Sequence, residues 1–139
     1  MFINNSFGRS IDILHRTMSV NVLRQQVIAD NIANSDTPNF KRSTVNFETG
    51  LKKALQSETE QTFPAALTNE KHIPFDRPVD YRTVLPRRTV DWQTTSKNNG
   101  NNVDIEEETS NAVQAQLAYN MMVQSVVGEF NNINMLLRG

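Results

Sequence analysis

The sequence predicts a mostly α protein whose two long helices, one at each end, pack as a coiled-coil-like pair around an irregular middle. Three observations predict it. Apolar residues near the N-terminus recur in steps of three and four. Those of residues 112–137 recur with spacings near 3.5. Between them, Pro64, Pro74, Pro78 and Pro86 interrupt a polar stretch that holds no long helix. The chain therefore divides into an N-terminal helix and turn (1–41), a variable middle (42–102) and a C-terminal helix (103–139).

The first helix runs from near Ser6 to Ser35. Its stripe is Ile3, Phe7, Ile11, Leu14, Met18, Val22, Ala29 and Ile32, interrupted only by Gln25. Asn21 and Gln25 lie on or beside it. There they either fix register at a seam or sit at its edge in water. Thr37 precedes a proline, whose ring disfavours the α conformation for the residue before it, so the helix stops at Ser35 or Asp36. Pro38 presets a turn, and Asn39 is suited to positive φ at its end. Phe40 places one aromatic anchor beyond the turn.

In the middle segment Val45 and Phe47 alternate, and Phe47, Leu51, Ala54 and Leu55 then predict a short helix with Lys52 and Lys53 outward. From Ser57 to Asn102 the pattern dissolves. Residues 72–75 and 81–85 are candidates for edge strands formed on assembly, and the region is read as mobile in the free subunit. Trp92 is either an interface anchor or part of a small local cluster. Lys97-Asn98-Asn99-Gly100-Asn101-Asn102 reads as a flexible hinge by composition.

The last helix opens on Asp104 as N-cap, with Glu107 three residues on completing a capping box. Glu106, Glu107 and Glu108 set negative charge against the positive helix start on a solvated face. Ala112, Tyr119, Val123, Val126, Phe130, Ile133 and Leu137 form the predicted seam. Leu117, Ala118, Met121, Met122, Val127, Met135 and Leu136 widen the apolar face beyond what one neighbour covers.

Composition points the same way. Only 37% of the 139 residues are hydrophobic, below the usual share for a globular domain, so a large private core is not expected. The net charge of −1 disfavours nucleic acid or an anionic membrane as main partner. It conceals an asymmetry. Residues 1–42 carry five basic and three acidic side chains, and residues 103–139 one and five, so the ends attract one another. With no cysteine there is no thiolate chemistry. His15 and His72 have no partner at metal-ligand spacing, and no phosphate loop, nucleophile elbow or zinc helix occurs. No catalytic, cofactor or metal site is expected. Neither a secretory signal peptide nor an 18-residue apolar span is present in the sequence.

The turn also carries a resemblance. Asn31-Ile32-Ala33-Asn34-Ser35-Asp36-Thr37-Pro38-Asn39-Phe40-Lys41 resembles the signature following the N-terminal helix in the axial proteins of the bacterial flagellum, the rod, hook and hook-associated proteins. That pattern runs A-N-I-A-N-x-x-T-x-G-Y-K. Asn31, Ile32, Ala33, Asn34, Thr37 and Lys41 match it, while Asn39 stands for the usual glycine and Phe40 for the usual tyrosine. Both departures are mild, because Asn tolerates a left-handed turn and Phe keeps the ring. The acidic start and apolar run of the last helix are similar to the family's C-terminal segment; the middle is unmatched. Phe7 and Ile11 resemble an export element of such proteins, and they are equally ordinary i, i+4 helix neighbours.

The resemblance implies a structural subunit of the proximal rod in the basal body. Such a subunit leaves the cell through the type III export apparatus without a cleaved signal peptide. In the periplasm it joins other rod subunits, and the adaptor to the membrane-embedded ring, in a hollow torque-transmitting assembly that serves motility. Under this reading Ile11, Leu14, Met18, Val22, Ile32, Tyr119, Val123, Val126, Phe130, Ile133 and Leu137 are the assembly seam. The alternative is a soluble coiled-coil adaptor or export chaperone that binds partner helices without polymerising. As a rod subunit the chain is expected to be partly disordered as a free monomer, since isolated helices are marginal in water.

Overall fold

The computed structural model describes residues 6–59, 67–72, 78–94 and 97–138. In chain order these form helix α1 (Ser6–Ala33), strand β1 (Ser43–Asn46), helix α2 (Glu48–Thr59), a 3₁₀ turn (Tyr81–Thr83), strand β2 (Arg87–Val90) and helix α3 (Ile105–Arg138). The two strands pair in one small sheet. The mostly α class and both long terminal helices are as the sequence predicts. The chain falls into two units, residues 1–45 with 89–139, and residues 46–88.

In the first unit α1 and α3 pack antiparallel. Phe7, at the start of α1, meets Phe130, near the far end of α3, edge to face with ring centroids 5.9 Å apart. At the other end Asn31 donates to Glu108 in the first turn of α3 at 3.0 Å. Asp104 caps α3 as expected, its Oδ1 accepting from the N–H groups of Glu106 at 2.9 Å and Glu107 at 3.4 Å. The second half of the capping box is replaced by an ion pair, because the Glu107 carboxylate turns to Arg42 Nη2 at 2.7 Å.

The packed rows differ from the predicted seam in an instructive way. On α3 the buried and half-buried positions include Glu108, Ala112, Ala115, Tyr119, Met122, Val126, Glu129 and Ile133, in alternating steps of four and three. Tyr119, Val126 and Ile133 belong to the expected seam. Within the subunit Val123 and Leu137 stay exposed, and Phe130 is half exposed even though its ring edge meets Phe7 of α1. The reason is steric and polar together: Ala112 and Ala115 let the helices approach, and Glu108 has buried partners waiting. On α1 Ile11, Leu14, Met18 and Ile32 are half-buried, but Val22 is exposed. Toward the end of α1 the covered row is Asn21, Val27, Ile28, Asn31 and Ser35, one residue away from the apolar stripe. Asn21 is thus not at a wet edge. Polar side chains occupy the interior because each has a partner there, which is the condition for burying them.

The second unit is built on α2. Phe47 and Ala54 are buried, and Lys52 and Lys53 point out, as the sequence predicts. In the subunit residues 81–83 form a 3₁₀ turn, in which Asp80 accepts from the N–H of Arg82 at 2.9 Å and Tyr81 is buried. Gly50 sits where an added Cβ would stand 3.1 Å from Val84 Cγ1, so α2 and the end of this turn lie close. The strand that does form is four residues further on, at Arg87–Val90. The other expected strand, at 72–75, lies mostly outside the described residues.

Candidate functional site

The signature asparagine Asn31 sits in the last full turn of α1, so its side chain reaches sideways to whatever packs there. It meets strand β1. Asn31 Nδ2 donates to Ser43 O at 2.8 Å, and Asn31 Oδ1 accepts from Ser43 N at 3.0 Å. One amide side chain thereby does for β1 what a neighbouring strand would do. Nδ2 also donates to Glu108 Oε2, and Glu108 Oε1 stands 2.7 Å from Arg42 Nε.

Glu108 is only 1% exposed, so the expectation of a solvated acidic run fails at this residue. Its charge is buried together with that of Arg42 and with the Asn31 amide, which is how an ion pair survives desolvation. Burial draws the Arg42 guanidinium down, and the hydrogen bonds and charges of Glu107 and Glu108 outweigh this and hold it above its usual range. Three side chains, from α1, the corner and α3, thus converge on the backbone of β1. A single carboxylate among three helical glutamates gives no sign in sequence of being the buried one.

The turn after α1 folds as its residues dictate. Asn34 N–H bonds to Asp30 O, Ser35 N–H to Ile32 O and Thr37 N–H to Asn34 O, each at 3.1 Å. Asn34 Nδ2 adds a bond to Asp30 O at 2.8 Å, and Thr37 Oγ1 donates to Asn34 Oδ1 at 3.3 Å. Asn39 takes φ +59°, the left-handed conformation its identity predicts. Ile32 and Phe40 are half-buried, while Ala33 and Pro38 are exposed.

Residues 97–102 are the largest departure from expectation. Instead of a flexible hinge they clamp this corner. Asn101, fully buried, donates through Nδ2 to the carbonyls of Asn34, Ser35 and Thr37, each at 2.9 Å. Lys97 Nζ donates to Ser35 O at 2.8 Å, which places a cation at the negative end of α1. Asn102 Oδ1 accepts from Arg42 N at 2.6 Å, and its Nδ2 donates to Asp91 O at 2.9 Å. Bonds from the Thr94 hydroxyl and the Gln93 N–H hold the exposed Asp91 carboxyl below its usual range. An asparagine-rich run reads as flexible by composition, and the same amides become rigid once carbonyls surround them.

Gly100 shows how tightly the clamp closes. It holds φ +79°, and a Cβ there would lie 2.7 Å from Asn39 Oδ1. Gly100→Ala is therefore expected to cost about 1–3 kcal/mol from conformation alone, plus the clash. In an Asn39→Gly background the clash disappears, so the same substitution should cost less. Asn39→Gly alone should be tolerated and Asn39→Val should not. Urea midpoints of the four-member cycle check this; additive costs would mean that residues 39 and 100 do not meet.

Among the described residues, no three His, Asp or Glu stand close enough to hold a metal ion. His15 and His72 are exposed. What is available at the surface is apolar. Val113, Leu117, Met121, Val127, Met135, Leu136 and Leu137 on α3 are more than half exposed. No formally charged residue occurs from Thr109 to Gly128. An exposed apolar face of this extent marks an interaction surface. Trp92 is also exposed.

Two antiparallel terminal helices, an asparagine corner and an uncovered apolar face define a subunit made to be assembled. The family described as "Flagella basal body rod protein" matches residues 11–41, which is α1 from its second turn through the corner. The flagellar basal body rod protein FlgB of Borreliella burgdorferi is 43% identical over 134 residues, covering 96% of this chain and 99% of that protein. FlgB of Bacillus subtilis is 32% identical with 96% of each chain covered, and FlgB of Escherichia coli 29% with 87% covered. The chain belongs to the FlgB family of flagellar basal body rod proteins, and is a structural protein rather than a soluble adaptor or export chaperone.

Proposed function

We propose that this subunit enters the rod by burying the outer face of α3 against neighbouring subunits, while the signature corner fixes the direction in which the chain leaves α1. The observation that carries this is the exposed row on α3. A helix that is apolar on the side facing α1 and again on the side facing solvent has a second partner. The neighbours are other rod subunits and the adaptor joining the rod to the membrane-embedded ring, and the assembled rod is hollow, periplasmic and torque-transmitting. The chain reaches it through the type III export apparatus, without removal of a signal peptide. Phe7 and Ile11 serve as export element while the chain is unfolded, and Phe7 then packs on Phe130 in the subunit. Free subunits are less helical than assembled ones, because the outer face of α3 gains its cover only on assembly.

Leu117, 58% exposed, is the position for a test. Leu117→Asp leaves nothing unpaired inside the subunit and sets a charge on a face to be buried. The variant is expected to be secreted and to keep its helices by circular dichroism, yet to be missing from purified basal bodies. Normal incorporation and normal swimming would remove α3 from the assembly surface.

A further inference from the structure

One residue on the outer face of α3 has no explanation inside the subunit. Gly128 lies in the interior of the helix, where glycine is a poor helix former. A Cβ built on it would meet nothing within 4 Å among the described residues. Its φ is not positive, so neither conformation nor crowding within the chain calls for glycine here. At 100° per residue it falls in the same row as Val113, Leu117, Met121, Gln124 and Met135. All five are exposed.

We infer that Gly128 is the point of closest approach between α3 and helix α1 of a second copy of this chain. The inference rests on the assembly reading above and names the contact within it. The face of α1 turned to solvent carries Ser19, Val22, Gln26, Ala29 and Ala33, again in alternating steps of three and four. It is small and neutral where the α3 row is large and neutral. Arg24, the one charged residue between Arg16 and Asp30, turns instead toward β1, with Nη2 3.4 Å from Val45 O. Apart from Asp30, exposed at the edge of the α1 row about 20° around the helix from Ser19, neither row carries a charge. Leu117 and Met121 on one copy then rest on the low surface of the other, and at Gly128 the backbones draw nearest. Pairing α3 with α3 would be two-fold and would stop at a dimer. A contact between two different faces leaves one of each free on every new copy, and it propagates.

The absence of cysteine allows a direct test. In a strain lacking the native copy, Gln124→Cys and Gln26→Cys are expressed singly and together, and intact basal bodies are oxidised. A cross-linked dimer of this chain is expected only when both variants are present. A dimer from Gln124→Cys alone, a cross-link to a different protein, or no cross-link would each overturn the contact. Incorporation gives a second readout. Gly128→Ala should raise the melting temperature of the isolated subunit while lowering its incorporation. Gly128→Leu should lower incorporation by roughly tenfold or more, the ratio expected for overpacking a tight contact. If the Gly128 variants assemble normally and Leu117→Asp does not, the close approach fails and the assembly reading stands. If Leu117→Asp also assembles, both fail.

Discussion

Glu108→Ala is expected to destabilise the subunit by about 3–5 kcal/mol, the cost of removing one partner from a buried ion pair. The loss is not confined to one bond. Arg42 Nε loses its closest carboxylate, and the Asn31 amide loses one of its two acceptors. Because Asn31 also pairs both backbone groups of Ser43, the disturbance passes directly to strand β1. Small domains are stable by only about 5–15 kcal/mol, so this single change removes a large part of the total. Glu108→Gln keeps the shape and an acceptor for Asn31 but not the charge facing Arg42, and should fall between the variant and the native protein. Urea denaturation of the three proteins, followed at 222 nm, gives the ranking. An unchanged midpoint for Glu108→Ala would mean that Glu108 is solvated and the network does not hold the two helix ends together.

The other large effect is expected at Asn101. Asn101→Asp replaces a donor by a carboxylate oxygen facing three carbonyls that now lie 2.9 Å from an N–H group. Among the described residues the backbone donor bonded to this side chain is the N–H of Val103, at 2.7 Å from Oδ1, and Lys97 nearby is bonded to Ser35 O. A buried, under-paired carboxylate costs about 3 kcal/mol or more. The sign of its pH dependence follows. The folded protein favours the neutral acid, so the pKa of the introduced group is raised on folding. The penalty is then absent below the unfolded value near 4 and grows as pH rises through the interval up to the raised value. Asn101→Ala has no such dependence and should cost about 1–3 kcal/mol from carbonyls left without a donor. Stability measured between pH 3.5 and 8 separates the two variants; parallel curves would show that residue 101 is not buried against the end of α1. Hydrogen exchange should locate the added fraying in the last turn of α1 in both.

Several features were legible in the sequence because they depend on short-range physics. The span of α1 and its stop before Pro38 follow from periodicity and from the clash of a proline ring with the preceding residue. The start of α3 follows from Asp104, which needs only the two N–H groups that come next in the chain. Positive φ at Asn39 follows from the turn, and the short helix at 48–59 from four apolar residues. The match of Asn31, Ile32, Ala33, Asn34, Thr37 and Lys41 to the axial-protein pattern led directly to the family.

What only the tertiary structure decided is which polar residues go inside. Apolarity selected Val22, Val123, Phe130 and Leu137 for the seam, and all four remain exposed in the subunit. Asn21, Asn31, Asn101 and Glu108 are buried, Asn21 beside Gln25 one turn on, and the other three with partners far along the chain: Asn31 with Glu108, Glu108 with Arg42, Asn101 with the end of α1. Hydrophobic burial is additive along a stripe and shows in the periodicity of one segment. A buried hydrogen bond exists only when two distant segments meet in a single geometry, so neither segment alone carries its signature.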